Sequence, residues 1–472
     1  MSRLVPSKSV NVPRIINSKI PNNHNPITEE EILQAISSLN RNKAADYFGI
    51  NAENIIYGGK QLQQYLQLLI NKSFELGCIS DILKIGTLFP VYKNKGDARY
   101  AKNYRGITVT PIYSKIIEKI LKIQENPIIL ERQNSLQRGF TENTIPLLCE
   151  LIIEEFECEN KDLNLPTYIA LLDDSLYKNA TSCIKWRNKT SEVFEVEQGV
   201  RQCGTMSADL YKLHVNPLLN LLCDTGIGGH LGNISCCAQT CADDVSILAN
   251  NPIELQMLVN IAVNFSKREG YTLQPTKSVI LPINTSSKLI EIEDNFWHIN
   301  NNFMLVVEHS SHIGIQKCQK NSAKLTVDEN IKKARWSLYS LMGTGLHGRN
   351  GLDPETVITL LKTYIMPILT HGWEILLPTG SIFDTIHQFH KKIIKQILSL
   401  SQQTADSAIY TVSGMLPIEA EIHLKALTLF GNITRANKTS VEWRLAESLR
   451  QLQLKSHTSK SWFIEKESMP KI

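Results

Sequence analysis

Long apolar runs are what this chain most conspicuously lacks. Nowhere among its 472 residues do roughly 18 apolar positions follow one another, so no membrane-spanning helix is expected. The N-terminus lacks the apolar core of a secretory signal, and the expectation is an intracellular protein of nucleus or cytoplasm, not a secreted one. The ten cysteines (Cys78, Cys149, Cys158, Cys183, Cys203, Cys223, Cys236, Cys237, Cys241 and Cys318) show no C-x-x-C pairing. A zinc site and a disulfide framework are therefore not indicated, and reduced thiols are. There is no GxxxxGK phosphate loop, no internal repeat and no sustained heptad, which sets aside P-loop nucleotidases, solenoids and coiled coils. Charge of one sign is scarcely in excess: 50 Lys and Arg face 46 Asp and Glu, a net of +4. A polyanionic partner would have to be recognised by local basic patches.

What is present begins with size. The length implies two or three lobes, and an apolar content of 42% is enough to fill their cores. The chain is organised around Cys241-Ala242-Asp243-Asp244-Val245-Ser246-Ile247-Leu248, two adjacent acids between short β-prone runs. A hairpin there buries the β-branched flanks and thrusts both carboxylates outward. Paired carboxylates are hard oxygen ligands suited to magnesium, and a third from another strand would complete a two-metal site. The same dipeptide also reads as a solvated turn.

Residues 1–26, with four prolines among polar residues, read as a loose arm. A capping box at Thr28 and Glu31 opens a helix with Ile32, Ala35, Ile36 and Leu39 inward. Leu62, Tyr65, Leu66, Leu69, Ile70 and Phe74 predict the inner face of a second helix, and residues 86–92 a strand with a basic exit at Lys93. A third helix sets Ile112, Ile116, Ile117, Ile120 and Leu121 inward and Lys115, Lys119 and Lys122 outward, a face that could simply be wetted. Tyr168 to Leu172 reads as an apolar strand ending in Asp173 and Asp174, where a metal ligand or a turn residue would sit. Leu210, Leu213, Pro217, Leu218 and Leu221 predict a buried helix. Asn251 and Pro252 open another, carrying Ile253, Met257, Leu258, Ile261, Ala262 and Phe265, with Gly270 as its stop. The last third is mostly helical. Its helix near 384–398 has Ile386, Phe389, Ile393, Ile394 and Ile397 on one face and His387, Lys391, Lys392 and Lys395 on another, a stripe able to track phosphates or merely to face water.

In this order the segments resemble the reverse transcriptase of non-LTR (LINE-type) retrotransposons over most of residues 28–430. Asn103-Tyr104-Arg105-Gly106-Ile107-Thr108 is similar to the family's fingers motif, Gln137-Arg138-Gly139-Phe140 to its Q-x-GF segment, Gly199-Val200-Arg201-Gln202 to the start of GVRQG, and Cys241-Ala242-Asp243-Asp244 to its YADD or FADD box. Tyr364 to Glu374, with Pro367, Gly372 and Trp373, is similar to the stretch that follows the thumb. The resemblance implies an α+β right-hand polymerase of fingers, palm and thumb, with a truncated palm and a mostly helical C-terminal third. It divides the chain into an arm (1–26), fingers and N-terminal palm (27–165), palm with the acidic hairpin (166–300), thumb-like helices (301–400) and a helical extension (401–472). It further implies DNA synthesis on an RNA template from a DNA primer and deoxynucleoside triphosphates, with Asp173, Asp243 and Asp244 holding two Mg2+ ions. Lys93 and Arg105 would face the triphosphate, Gln202 would line the nucleotide pocket, and Lys277 would stand near the closing nucleotide. Lys391, Lys392 and Lys395 would contact nucleic acid.

The sequence also departs from that family. Asp173 is followed by Asp174-Ser175-Leu176-Tyr177-Lys178-Asn179-Ala180 in place of D-x-x-K-A-F-D, and only 25 residues (198 − 173) separate it from Gln198. A long palm helix is therefore expected to be missing beneath the strand that aims Asp173. Cys203 precedes Gly204 where the family has glycine first, and no endonuclease or zinc knuckle accompanies the polymerase portion. Two readings follow: a working polymerase, and a decayed or mis-spliced copy that keeps at most nucleic-acid binding. A helical scaffold with surface acids is a third.

Overall fold

The computed structural model describes residues 26–76, 83, 85–93, 96–139, 147–162, 167–172, 177–186, 189–199, 204–271, 273–275, 277–283, 295–318, 321–343, 351–436, 438, 440–453 and 462. Asp173 and Gln202 lie outside these residues, as does Gly77, the expected stop of the second helix.

The first half of the chain forms α1 (Glu29–Ser37), α2 (Ala52–Ile56), α3 (Gly59–Leu76), β1 (Gly86–Tyr92), β2 (Tyr104–Val109), α4 (Ile112–Arg132), α5 (Leu147–Asp162), β3 (Thr167–Leu172), β4 (Tyr177–Trp186), β5 (Lys189–Thr190), β6 (Phe194–Gly199) and α6 (Ser207–Asp224). Next come β7 (His230–Leu231), β8 (Ile234–Ser235), β9 (Ala238–Cys241), β10 (Asp244–Ala249), α7 (Pro252–Glu269), β11 (Val279–Ile283), β12 (His298–Ile299), β13 (Asn302–Phe303), β14 (Leu305–Val306), β15 (His309–His312) and β16 (Ile315–Cys318). The remainder is helical: α8 (Ser322–Met342), α9 (Pro354–Leu360), α10 (Met366–Leu369), α11 (Trp373–Leu376), α12 (Gly380–Ile397), α13 (Asp406–Ser413), α14 (Ile418–Arg435) and α15 (Val441–Gln453). Segregated helices and largely antiparallel sheets make this the expected α+β class. The residues divide into two compact units. One comprises Met1–Gln133, Asp174–Pro217 and Ser266–Thr272, the other Asn134–Asp173, Leu218–Phe265 and Leu273–Ile472.

In the first unit the Thr28 hydroxyl accepts from the Glu31 N–H while Glu31 accepts from the Thr28 N–H, so α1 starts where the capping box predicts. Ile32, Ala35, Ile36 and Leu39 then pack with Ile112, Ile116, Ile117 and Ile120 of α4. Asp46 ties this core together: Oδ1 accepts from the N–H groups of Phe48 and Ile50, and Oδ2 from Ile112 N–H at the first turn of α4. Two expectations are corrected here. On α3, among the described side chains of the anticipated face, Leu66 and Ile70 are deeply buried while Tyr65 and Leu69 are exposed, because the helix offers α1 and α4 a stripe narrower than its apolar content. The α4 lysines are not simply wetted either. Lys119 donates to the Ser38 carbonyl, Lys122 pairs with Asp209 at 3.2 Å, and burial lowers the pKa of Lys115. β1 pairs antiparallel with β2 and parallel with β4, which pairs in turn with β6. Between Leu172 and Gly199 the described elements are the strands β4, β5 and β6.

The second unit is built on the sheet β14-β11-β3-β10-β9, in which β3 runs antiparallel to both β10 and β11. Ile152, Ile153 and Phe156 of α5 bury Leu248 of β10 and Leu281 and Ile283 of β11, and Val441 and Leu445 of α15 join the same core. Each fully buried chain of this size contributes roughly 1.5–3 kcal/mol. The expected inner faces of α6 and α7 are each rotated from those observed. Leu218 is buried as expected, but Leu210, Leu213 and Leu221 are exposed while Asp209, Lys212, Val215, Leu219 and Leu222 are buried. Lys212 and Asp209 can ride the inner face because they neutralise one another at 2.9 Å. On α7, Ile253 and Met257 are exposed and Leu255, Leu258, Val259, Ala262 and Phe265 are buried. The helical third has its core where periodicity places it: Ile386, Phe389, Ile393, Ile394 and Ile397 of α12 meet Ile331, Ala334 and Leu338 of α8, with Trp373 wholly enclosed.

Candidate functional site

The acids sit at the tip of a two-residue hairpin. Asp244 faces Cys241 across the β9–β10 ladder, leaving Ala242 and Asp243 as the loop. Ala242 takes φ +57°, the left-handed conformation such loops demand at their first central position and one that favours glycine. Behind the turn Val245, Ser246, Ile247 and Leu248 are buried, so the strand is anchored while both carboxylates are exposed to solvent. On the far side of β10, Val245 lies opposite Leu172, the last residue of β3.

A neighbouring segment grips the turn. The Gln137 side chain accepts from Ala242 N–H (3.1 Å) and Gly139 N–H (2.8 Å) and donates to the Ala242 carbonyl (3.3 Å). Backbone bonds from Arg138 N–H to the Thr240 carbonyl and from Thr240 N–H to the Leu136 carbonyl extend β9 in parallel. Gly139 is needed because a Cβ there would stand 2.1 Å from the Ala242 nitrogen. Arg138 forms a buried ion pair with Glu442 of α15 at 2.7 Å. Sequence reasoning found the Q-x-GF resemblance but no role for Gln137.

Beneath β10 lies a charged network that sequence reasoning missed. Ser246 Oγ is 2.8 Å from His312 Nε2, whose Nδ1 is 3.0 Å from Glu150; Lys317 bridges Glu150 (2.8 Å) and Glu154 (2.6 Å). Lys317 and His312 hold the Glu150 carboxyl below its ordinary pKa although burial alone would raise it. The Ser-His-Glu spacing is that of a nucleophilic triad, but Ser246 and Glu150 are fully buried and His312 nearly so, which denies a substrate access. Its work is to fasten β10, through Ser246, to α5 and β15–β16. The sequence signal was an acid inside the apolar run Leu147-Leu148-Cys149-Glu150-Leu151-Ile152-Ile153.

The other anticipated residues fall in several places. Arg105 lies opposite Val91, and Lys93 N–H bonds the Asn103 carbonyl, so both cations are exposed on one end of the β1–β2 pair. Lys277 is exposed on the turn before β11, its N–H donating to the Gln274 carbonyl. On α12, Lys391 pairs with Asp406 at 2.8 Å and Lys395 donates to the Gln402 carbonyl, so two lysines of that stripe are engaged locally while Lys392 is exposed. A different helix carries aromatic and basic side chains together: on α8, Lys332, Arg335, Trp336 and Tyr339 are exposed, with Lys332 over the Trp336 ring. Stacking faces interleaved with cations suit nucleic acid.

Asp243 and Asp244 offer the oxygen donors magnesium takes, and among the described residues no third His, Cys, Asp or Glu joins them in a group able to hold a metal ion. The donor chemistry therefore fits a hard divalent ion that needs a further carboxylate.

No protein-family model matches the chain. Over 220 residues it is 24% identical to the Retrovirus-related Pol polyprotein from type-1 retrotransposable element R2 of Popillia japonica, covering 46% of this chain and 30% of that one. The chain thus spans about a third of the length of the relative it matches. Among solved structures it is similar to apo telomerase from Candida tropicalis truncated from its C-terminal domain (TM-score 0.32, 13% identity, 54% of this chain and 59% of that one). Telomerase from Candida albicans in complex with a TWJ fragment of telomeric RNA gives a TM-score of 0.34 at 10% identity, over 88% of this chain and 68% of that one. An acid-tipped hairpin in an antiparallel sheet, followed by a helical third, defines the class as α+β. Over the 220 matched residues the chain is similar to part of a non-LTR retrotransposon Pol polyprotein.

Proposed function

We propose that this chain is the RNA-directed DNA polymerase portion of a non-LTR element, extending a DNA primer on an RNA template. The observation that carries the reading is the hairpin: two exposed carboxylates on a turn gripped by Gln137 and anchored by a buried strand. Asp173 supplies the third carboxylate. It follows Leu172 directly, and Leu172 lies opposite Val245, the neighbour of Asp244. Two Mg2+ ions held by Asp173, Asp243 and Asp244 would activate the primer 3′-hydroxyl and neutralise the departing pyrophosphate. Lys93 and Arg105 balance the charge of the incoming deoxynucleoside triphosphate, Gln202 lines its pocket, and Lys277 donates a proton to pyrophosphate. The aromatic and basic face of α8 holds the primer–template, with Lys392 adding a phosphate contact beside Lys391 and Lys395, whose ammonium groups are engaged locally.

A second reading, a copy that binds nucleic acid without chemistry, draws on the strands found where a palm helix would lie between Leu172 and Gly199. One experiment separates the two. Soluble protein is given oligo(dT) on poly(rA) with Mg2+ and thymidine triphosphate, and binding is followed in parallel. Incorporation that disappears in Asp243→Asn and in Asp173→Asn supports the polymerase. Salt-dependent binding of the hybrid without incorporation rejects it in favour of the second reading.

A further inference from the structure

β9, the strand leading into the acids, meets a pair of thiols at each end. At its start Cys237 Sγ lies 3.9 Å from Cys223 Sγ near the end of α6. At its finish Cys241 contacts Cys149 of α5 through their thiols. In each pair one member is half-exposed (Cys223, Cys241) and its partner buried (Cys237, Cys149). We propose that Cys223 and Cys237 form a peroxide-oxidisable dithiol, with Cys223 the attacking sulfur and Cys237 the resolving one, which closes a reversible disulfide between α6 and the start of β9.

The geometry supplies each requirement of that chemistry. Cys223 is open enough to meet a small oxidant, and a second sulfur waits within van der Waals reach. The thiol–thiol contact with Cys237 is the main reason Cys223 is brought down to about 7, with Ser235 and Asn134 also helping. The same contact, together with burial, holds the proton on Cys237. In the first step the Cys223 thiolate attacks one oxygen of hydrogen peroxide, the O–O bond breaks, and hydroxide leaves to take up a proton as water. Cys223 is now a neutral sulfenic acid, so the charge that kept Cys237 protonated is gone. Cys237 sulfur then attacks Cys223 sulfur, the S–O bond breaks, and the leaving hydroxide carries off the Cys237 proton as water. One peroxide is reduced to two waters and two thiols are oxidised to one disulfide. The sulfurs must close from 3.9 Å to about 2.05 Å. The movement bears on the acidic strand, since the Cys237 carbonyl accepts from Leu248 N–H of β10 at 2.8 Å.

The pair at the other end of β9 is the internal comparison. There Cys241 is half-exposed and Cys149 buried, and any crosslink between them is read in the same peptide map. The test needs no polymerase activity. The full chain is treated with equimolar hydrogen peroxide, quenched by alkylation and mapped as peptides without reductant. The expected result is a crosslink of the Cys223 and Cys237 peptides that dithiothreitol reverses. It should persist in Cys236→Ser and be absent in Cys223→Ser, while Cys237→Ser leaves Cys223 as a sulfenic acid captured by a dimedone-type probe. Oxidation of Cys223 to the sulfinic acid with Cys237 intact overturns the proposal. So does a crosslink from Cys223 to any other cysteine, or a Cys223 rate no faster than that of buried Cys183.

Discussion

Gln137 holds Ala242 by both ends, its carboxamide oxygen accepting the Ala242 N–H and its nitrogen donating to the Ala242 carbonyl. Gln137 is itself almost fully buried, so these bonds are made away from competing water. Replacing it by methionine keeps the bulk and strands the partners on Ala242 and Gly139. An unsatisfied buried group costs about 1–3 kcal/mol, and Gln137→Met should lose stability on that scale in urea titrations. Amide exchange at Ala242 should quicken more than exchange at Ile247. Equal quickening at both would show that Gln137 supports the sheet generally and not the turn.

Gly139 makes a sharper demand on the same turn. Its added Cβ would come within 2.1 Å of Ala242 N and 2.7 Å of Ala242 Cα, both backbone atoms that no rotamer change can move aside. Gly139→Ala should therefore displace the hairpin, lower the unfolding midpoint and abolish any magnesium-dependent incorporation. Asp243→Asn, at an exposed position, should abolish incorporation with stability changed by less than about 0.5 kcal/mol. A Gly139→Ala protein as stable as the parent would contradict the close approach.

Local patterns carried much of this fold into view from the sequence. The Thr28 capping box, the alternation around Asp243 and Asp244, and the isoleucine stripe of α12 all read correctly, because each depends on neighbours within a turn or a strand. Inner faces were misjudged on α3, α6 and α7, where apolar residues outnumber the positions that neighbouring elements can cover. The buried Asp209–Lys212 pair on α6 violates the hydrophobic pattern by neutralising itself, which no periodicity reveals. At the site, the two acids were legible as a motif. The grip of Gln137 and the Glu150–His312–Lys317 network join residues more than a hundred positions apart, and only the fold brings them together.

That network should be costly to break and sensitive to acid. In Glu150→Gln, Lys317 loses the carboxylate it holds at 2.8 Å while Glu154 stays at 2.6 Å, and removing one partner of a buried charge pair costs about 3–5 kcal/mol. Glu150 has a folded-state pKa below its ordinary value, so its contribution is complete above the normal carboxylate range and is lost as pH falls through and below it. Urea titrations of the parent below about pH 4.5 should show this loss, and Glu150→Gln should flatten it. An unaltered acid limb in the variant would remove Glu150 as its source.

The faces of α8 and α12 make opposite predictions for nucleic acid. Trp336 and Tyr339 are 66% and 52% exposed, and base stacking on such rings is worth about 1–3 kcal/mol each. Trp336→Ala should weaken binding of a DNA–RNA hybrid by roughly tenfold or more, with the folded state intact. Lys391→Ala removes a cation already paired with Asp406, and should change the salt dependence of binding little. Fluorescence anisotropy over a salt series measures both. A large effect at Lys391 with none at Trp336 would move the binding face to α12.

His390 sets a second pH response, at higher pH than that of Glu150. It is buried on α12, both ring nitrogens lack a hydrogen-bond partner, and its ring stacks on Tyr410. Burial, with a smaller push from His387, brings it down to about 4. An unfolded chain takes up the proton near pH 6.5, whereas the folded one does not until much lower pH. Stability from this residue is therefore greatest above pH 6.5, falls as pH drops from about 6.5 to about 4, and levels off below that. The full loss is on the order of 3 kcal/mol. His390→Leu removes the titration and fills the site with carbon, so its stability should be nearly flat across that window while the parent declines. Urea midpoints at several pH values between about 7 and 5 measure the difference. A parent that holds its midpoint over that range, or a leucine variant that still loses it, would mean the ring is charged in the folded state and that its surroundings accept the proton.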